Sequence, residues 1–443
     1  MTNADVLAAQ PRERGVLDRL LSIFSRVEGG EGAGAILLAL NVFLLLGTYY
    51  ILKTVREPLI LGQPGGAEVK AYASAGQALL FLLAVPVYGA IASRYSRMGL
   101  ITCVSLFFIL NLALFVAAGT AGIPIGVAFF LWVGIFNMLV VAQFWSFAND
   151  LYTEEQGKRL FPIVGVGASL GAWVGSMAAK WLFGFMGPFQ LMTLSAVLLA
   201  LCLGLTWLVN TRQAGSSPAR AREAAAPLDR KGGFRLVFQT RYLFLIAMLV
   251  LLLNTVNTTG EYIVGRFVTE QAASLPEADK KAFIGRFYGD YFSWVNLLGF
   301  LIQTFLVSRL FKWIGVGGAI FILPLIALGG YGLLAAMPVL GIVRAAKILE
   351  NSTDYSLNNT VRHALFLPTS REAKYKAKAA TDTFFVRFGD MIQAAIVFAG
   401  TTYLGWSVTG FAVMNIVLVC VWLAVALLIY REHRKLSADE GKS

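Results

Sequence analysis

Histidine is nearly missing from this 443-residue chain: His363 and His433 are its only two. A histidine-based metal site, or a relay of serine, histidine and aspartate, has almost nothing to draw on. The three cysteines, Cys103, Cys202 and Cys420, sit in separate apolar runs without metal-like spacing. They imply neither a disulfide framework nor a thiol catalyst. Charge is scarce too, at 14% of residues against 57% hydrophobic. No G-x-x-x-x-G-K-[ST] string occurs, so hydrolysis at a P-loop is excluded as a driving force. GVGASLG (165–171) has one residue too many for a dinucleotide fingerprint and lies in an apolar run.

What is abundant is long apolar sequence. Mean hydropathy is +0.69, and runs of roughly 20 residues recur, the length that crosses a hydrocarbon core as helix. The expected fold class is an all-α membrane protein with twelve spans, at 33–52, 72–93, 99–120, 124–147, 162–184, 189–211, 242–266, 285–308, 315–336, 338–358, 377–402 and 407–430. The formal charge of +12 is a matter of topology and does not point to nucleic acid. Roughly two thirds of the 37 Lys and Arg fall on the side that holds both termini, which the positive-inside rule makes cytoplasmic. No apolar core long enough for a cleavable signal precedes the first span, and Val16–Arg26 reads as an interfacial amphipathic helix.

Residues 212–235 are polar, basic and rich in small side chains, a flexible linker by composition. The expected divisions are a cytoplasmic tail (1–32), a six-helix half (33–211), a linker (212–236), a second six-helix half (237–430) and a basic cytoplasmic tail (431–443). Six plus six around a long central loop is the plan of the major facilitator superfamily. Gly167, Gly171, Gly175 and Ala179 step by four along the fifth span, a small-residue face that lets two helix backbones approach closely.

The densest polar cluster lies in GIVRAAKILENSTDYSLNN, residues 341–359. At 100° per residue, Arg344, Lys347, Glu350, Asn351, Asp354 and Asn358 share an arc of about 120°. Ionisable groups inside a bilayer are costly and usually face a bundle interior or a wet cavity. The competing reading is structural, with Lys347 paired to Glu350 or Asn351 between helices. Further polar groups gather on span one (Lys53, Arg56, Glu57), span seven (Asn254, Asn257, Glu261) and span eight (Tyr288, Asp290, Tyr291, Trp294, Asn296, Gln303). Span eleven adds Lys378, Asp382, Arg387, Asp390 and Gln393. Spans three, six, nine and twelve are nearly free of charge, as lipid-facing supports should be. Cations deep in a cavity call for an anion: guanidinium binds phosphate or carboxylate bidentately, ammonium as a point charge. Lys53 and Arg56 could equally be rim anchors reaching to the headgroups, and the aromatic rings could be ordinary helix packing.

Several segments resemble the ATP/ADP translocases of plastids and intracellular bacteria. FWSFANDLYTEEQGKRLFPIVGVGASLGAWVGS (144–176) is similar to that family's fourth helix end, basic loop and glycine-rich fifth helix. YILKTVREPLILG (50–62) resembles the basic close of its first helix, NTTGEYIVGRF (257–267) the acidic end of its seventh, and YKAKAATDTFFVRFGD (375–390) its K-x-K-A-A-x-D segment. The resemblance implies that Lys53 and Arg56 take its cationic positions, Glu261 its carboxylate, and Lys376, Lys378 and Asp382 the last motif. It also implies exchange of adenine nucleotides.

The expected protein is a secondary transporter, not an enzyme, working without a cofactor as a monomer in the inner membrane. Its partners would be a small anion such as ATP or ADP and the lipid bilayer. The expected site holds the anion on Arg344, Lys347 and Lys378, with Lys53 and Arg56 guiding it from the outer rim. Glu261, Glu350 and Asp354 would pair with those cations between steps, and Asp382 and Arg387 complete the set. The alternative is a proton-coupled facilitator of another organic anion, with Glu350 or Asp354 as proton carrier.

Overall fold

The computed structural model describes residue 18 and residues 27–92, 94–212, 233–369, 373 and 377–440. The expected amphipathic helix, most of the central linker, Lys374 and Lys376 lie outside them. Helices joined by short turns make up the described residues, with no strand among them.

In chain order the long helices are α1 (Gly32–Leu61), α2 (Gly66–Ala92), α3 (Arg97–Thr120), α4 (Gly126–Leu151), α5 (Glu154–Leu182) and α6 (Pro188–Arg212). After a short helix, Gly233–Gln239, come α7 (Arg241–Ala273), α8 (Glu277–Leu301), α9 (Ile322–Ala336), α10 (Leu340–Thr353), α11 (Val386–Thr402) and α12 (Val408–Glu440). Among the described residues, nine helices are long and apolar enough to cross a membrane. The three left over, α2, α9 and α10, nevertheless overlap expected spans. α9 is apolar but only 15 residues long, and α10 carries the charges noted above.

Several boundaries differ from the sequence reading. α1 runs to Leu61, through Pro58, where a span ending at 52 was expected. α8 continues through a π-helical segment, Ile302–Leu306, into Val307–Ala319. Arg309 and Lys312, which fall between the expected spans 285–308 and 315–336, are therefore on helix. The break comes at Gly315, whose φ of 67° lies in the left-handed region that glycine enters without strain. α12 continues to Glu440, so most of the expected basic tail is helix. Two more π-helical segments, Asp354–Asn358 and Thr381–Phe385, extend α10 and lead into α11.

The apolar interior forms two large clusters. One is built from α1, α3, α4, α5 and α6, including Val42, Phe108, Phe136 and Leu199. The other comes mainly from α7 to α12, with Ile60, Leu61, Ala67 and Phe130 reaching into it. The two sets of helices meet where α5 and α1 lie on α8, and α2 on α11 and α7. The glycine face of α5 does what its spacing implied. A Cβ on Gly167, Gly171 or Gly175 would stand 2.5, 2.2 or 2.4 Å from the carbonyl oxygens of Ala39, Phe43 and Gly47 on α1. Outward, α3 shows Leu106, Phe107, Leu110 and Leu114, and α12 shows Val413, Val417 and Val421. Those stripes at helical spacing suit hydrocarbon.

Candidate functional site

The polar residues of the interior collect where α1, α2, α5, α7, α8 and α10 converge. Lys53 is eight residues short of the end of α1, roughly 12 Å of helix rise inside it. Its ammonium lies 4.3 Å from the ring centroid of Phe292, 5.2 Å from that of Tyr50 and 5.9 Å from that of Tyr355. Among the described residues it has no carboxylate partner, and Tyr355 is 48% exposed.

One turn further on, Glu57 is wholly buried. One oxygen accepts from Arg56 and the other from Lys70 on α2, each at 2.6 Å. The Arg56 guanidinium also stacks on Phe130, 4.3 Å from the centroid, and Lys70 lies over Tyr288. The pairing matters because a buried carboxylate needs its partners to offset desolvation.

Glu261 on α7 accepts hydrogen bonds from Tyr291 (2.7 Å) and Asn351 (2.8 Å), both through one oxygen. The Asn257 side-chain amide donates to the side-chain oxygen (Oδ1) of Asn351 at 2.9 Å. Behind this layer, Lys347 is fully buried, 3.0 Å from a Glu350 oxygen and donating to the Asn257 carbonyl. Tyr331 on α9 donates to the second Glu350 oxygen at 3.0 Å. Gly260 makes this possible, since a Cβ there would stand 2.1 Å from the Tyr331 hydroxyl and 2.9 Å from the Lys347 chain. The Lys347–Glu350 pair of the structural reading is thus present, but within α10; the ties to α7 and α9 are hydrogen bonds.

Arg344, three residues before Lys347, pairs with Asp290 on α8, and Lys180 on α5 pairs with the same carboxylate. Asp354, in the π-helical segment, accepts from Asn358 at 2.7 Å. On α11, Arg387 lies 3.1 Å from Asp390 and over the ring of Phe81. Asn254 donates to Asp390 at 2.7 Å. Lys378 pairs with Asp382 one turn away.

The expected residues therefore separate. Lys53, Arg56, Glu261 and Arg344 come to the convergence of helices, and Lys347 and Glu350 seal the layer behind it. Lys378 stands before α11, at the end where the helical continuation of α10 finishes at Ala364, roughly 30 Å of helix rise from Arg344. It stands apart from Arg344 and Lys347, with which it was expected to act. Tyr288 and Tyr291 are fully buried, Tyr291 bonded to Glu261, whereas Tyr355 is half-exposed. Sequence reasoning passed over Lys70, Glu68, Lys180 and Tyr355. Lys180, a lone lysine in the last turn of α5, looks like an interfacial anchor until its partner is seen. Glu68 and Lys70 fell outside a span assumed to begin at residue 72.

Residues 323–433 match the family model described as TLC ATP/ADP transporter. The chain resembles the TLC ATP/ADP transporters. An ADP,ATP carrier protein 1 of Chlamydia pneumoniae is 22% identical, over 87% of this chain and 88% of that protein. Among solved structures, a bacterial homologue of the iron transporter ferroportin in an inward-facing state aligns with TM-score 0.63 at 17% identity, covering 91% of this chain and 98% of that one. A POT family transporter aligns with TM-score 0.64 at 15% identity, covering 93% and 97%. The fold is that of the major facilitator transporters, and the TLC relatives are carriers rather than enzymes. Like them, the protein is a transporter.

Proposed function

We propose that the protein exchanges adenine nucleotides, ATP against ADP, by alternating access between the halves 33–211 and 237–430. Lys53 carries this reading: a cation deep inside a span, free of any carboxylate among the described residues, beside the exposed ring of Tyr355. An ammonium held among aromatic faces is attracted to them, and its hydrogen-bond donors stay available for phosphate oxygens. Arg56 and Arg344 extend the cationic surface, and Tyr355 gives a base a face on which to stack. Glu261 is the counter-ion of the empty site, its second oxygen unused by Tyr291 and Asn351. Lys378, Asp382 and Arg387 act nearer the other end of the pathway, and Asp354 stands between the two groups. The protein sits as a monomer in the inner membrane with both termini cytoplasmic.

The test is uptake of labelled ATP into proteoliposomes preloaded with ADP, compared with empty proteoliposomes. Uptake that requires internal ADP supports the exchanger. Uptake driven by a pH gradient alone, and indifferent to internal ADP, would replace it with proton coupling.

A further inference from the structure

At the end of the bundle where α12 finishes and α7 begins, a groove of about 580 Å³ opens between Arg241 of α7 and the last turns of α12. Four cations line it, Arg241, Arg431, Arg434 and Lys435, against one carboxylate, Glu432. Glu432 does not satisfy them. Lys435 and Arg241 reach the same Glu432 oxygen at 3.4 and 4.0 Å, and their side chains remain 70% and 71% exposed. Arg431 and Arg434 enter no ion pair among the described residues, and Arg434 lies over the Tyr430 ring, 5.9 Å from its centroid.

The groove sits at the foot of an apolar stripe. Val413, Val417 and Val421 are exposed along α12, and Ala424 and Leu428 continue them. At 100° per residue all of these fall with Arg431 and Lys435 in an arc of about 80°. The face that suits hydrocarbon therefore runs without a break into the cations, and Leu428 itself lines the groove. Alongside, Tyr430 packs on Phe321 and covers Gly317, where a Cβ would stand 2.7 Å from the ring. One turn before Gly317, the exposed Trp313 has a side chain favoured at headgroup level. Positive charge at this end follows from topology alone. Its gathering around one groove, below an apolar stripe, does not.

We propose that this groove holds the headgroup phosphate of an anionic phospholipid, with an acyl chain lying along the stripe from Val413 to Leu428. Arg241 and Arg431 offer guanidinium forks to the phosphate oxygens, and Lys435 adds a point charge. A zwitterionic lipid presents the same phosphate but brings its own ammonium, which these cations repel, so the site selects net negative charge. A phosphate shared by Arg241 and Arg431 fastens α7 to α12 just beyond the hydrocarbon, where apolar packing between the two helices ends. The site is separate from the convergence of helices around Lys53. The inference does not depend on which solute is carried.

The experiment is native mass spectrometry of the full chain titrated with phosphatidylglycerol or phosphatidylcholine. The parent should retain phosphatidylglycerol in preference. Arg431→Gln combined with Lys435→Gln should weaken phosphatidylglycerol binding roughly 10- to 30-fold, at about fivefold for each basic residue near the membrane surface. Arg241→Gln, which leaves Glu432 on Lys435, should weaken it about fivefold and serves if the double variant does not fold. Arg212→Gln combined with Lys312→Gln removes the same charge from exposed positions outside the groove and should bind like the parent. An equal loss in that control would reduce the effect to diffuse surface charge and overturn the site. Parent-like binding by whichever groove variant folds would overturn it too. Glycerol 3-phosphate, the headgroup chemistry without acyl chains, should not displace the lipid. If it binds as tightly, the groove takes a soluble phosphate and the lipid assignment falls.

Discussion

Lys347 lies wholly inside the helix bundle with its ammonium 3.0 Å from a Glu350 oxygen. The sequence alone placed Lys347 among the cations expected to hold the anion. With both groups buried, replacing Lys347 by Ala strands a carboxylate, at a cost of about 3–5 kcal/mol. Lys347→Ala should therefore lower the yield and melting temperature of purified protein. A Lys347→Met, Glu350→Met double variant should recover most of the loss. A single variant that melts like the parent would show that the pair contributes little.

Lys53 is the opposite case. No carboxylate is orphaned when its charge is removed, so Lys53→Gln should leave the melting temperature nearly unchanged. A charge-assisted hydrogen bond to phosphate is worth about 1.5–3 kcal/mol, so nucleotide affinity should fall roughly 10- to 100-fold. Titration of labelled ADP against both proteins reads the effect. Unaltered affinity would move the phosphate site elsewhere.

Glu57 holds two cations, and each of those has less to lose than it does. Glu57→Gln leaves Arg56 and Lys70, with side chains 13% and 10% exposed, competing for a neutral amide. Lys70→Gln leaves Glu57 still bonded to Arg56. Thermal unfolding in detergent should rank Glu57→Gln well below Lys70→Gln, and the reverse order would contradict this account.

Gly171 and Gly204 offer a matched pair on consecutive helices of the chain, α5 and α6. A Cβ on Gly171 would stand 2.2 Å from the Phe43 carbonyl oxygen, whereas one on Gly204 meets nothing within 4 Å. Gly171→Ala should destabilise by about 1–3 kcal/mol through overpacking. Gly204→Ala should be neutral, or stabilising by up to about 1 kcal/mol from helix propensity. Equal behaviour of the two would mean that α1 and α5 separate more easily than their contact implies.

The sequence by itself determined the class of structure and the inventory of ionisable groups. Apolar runs of spanning length need no tertiary contact to be read, because hydrocarbon imposes the helix. The four-residue step of Gly167, Gly171 and Gly175 likewise announced a close helix contact, since periodicity places those positions on one face. Tertiary structure alone decided which charges are spent on one another. Lys347 and Arg344 sit one turn apart on α10, yet one is sealed behind Gly260 and the other reaches α8. Arg56 and Lys53 are equally close on α1, yet only Arg56 finds a carboxylate. Lys180 acquires a partner 110 residues away that no local pattern announces. Pairing depends on which helix lies opposite, and that is fixed by packing between elements far apart in the chain.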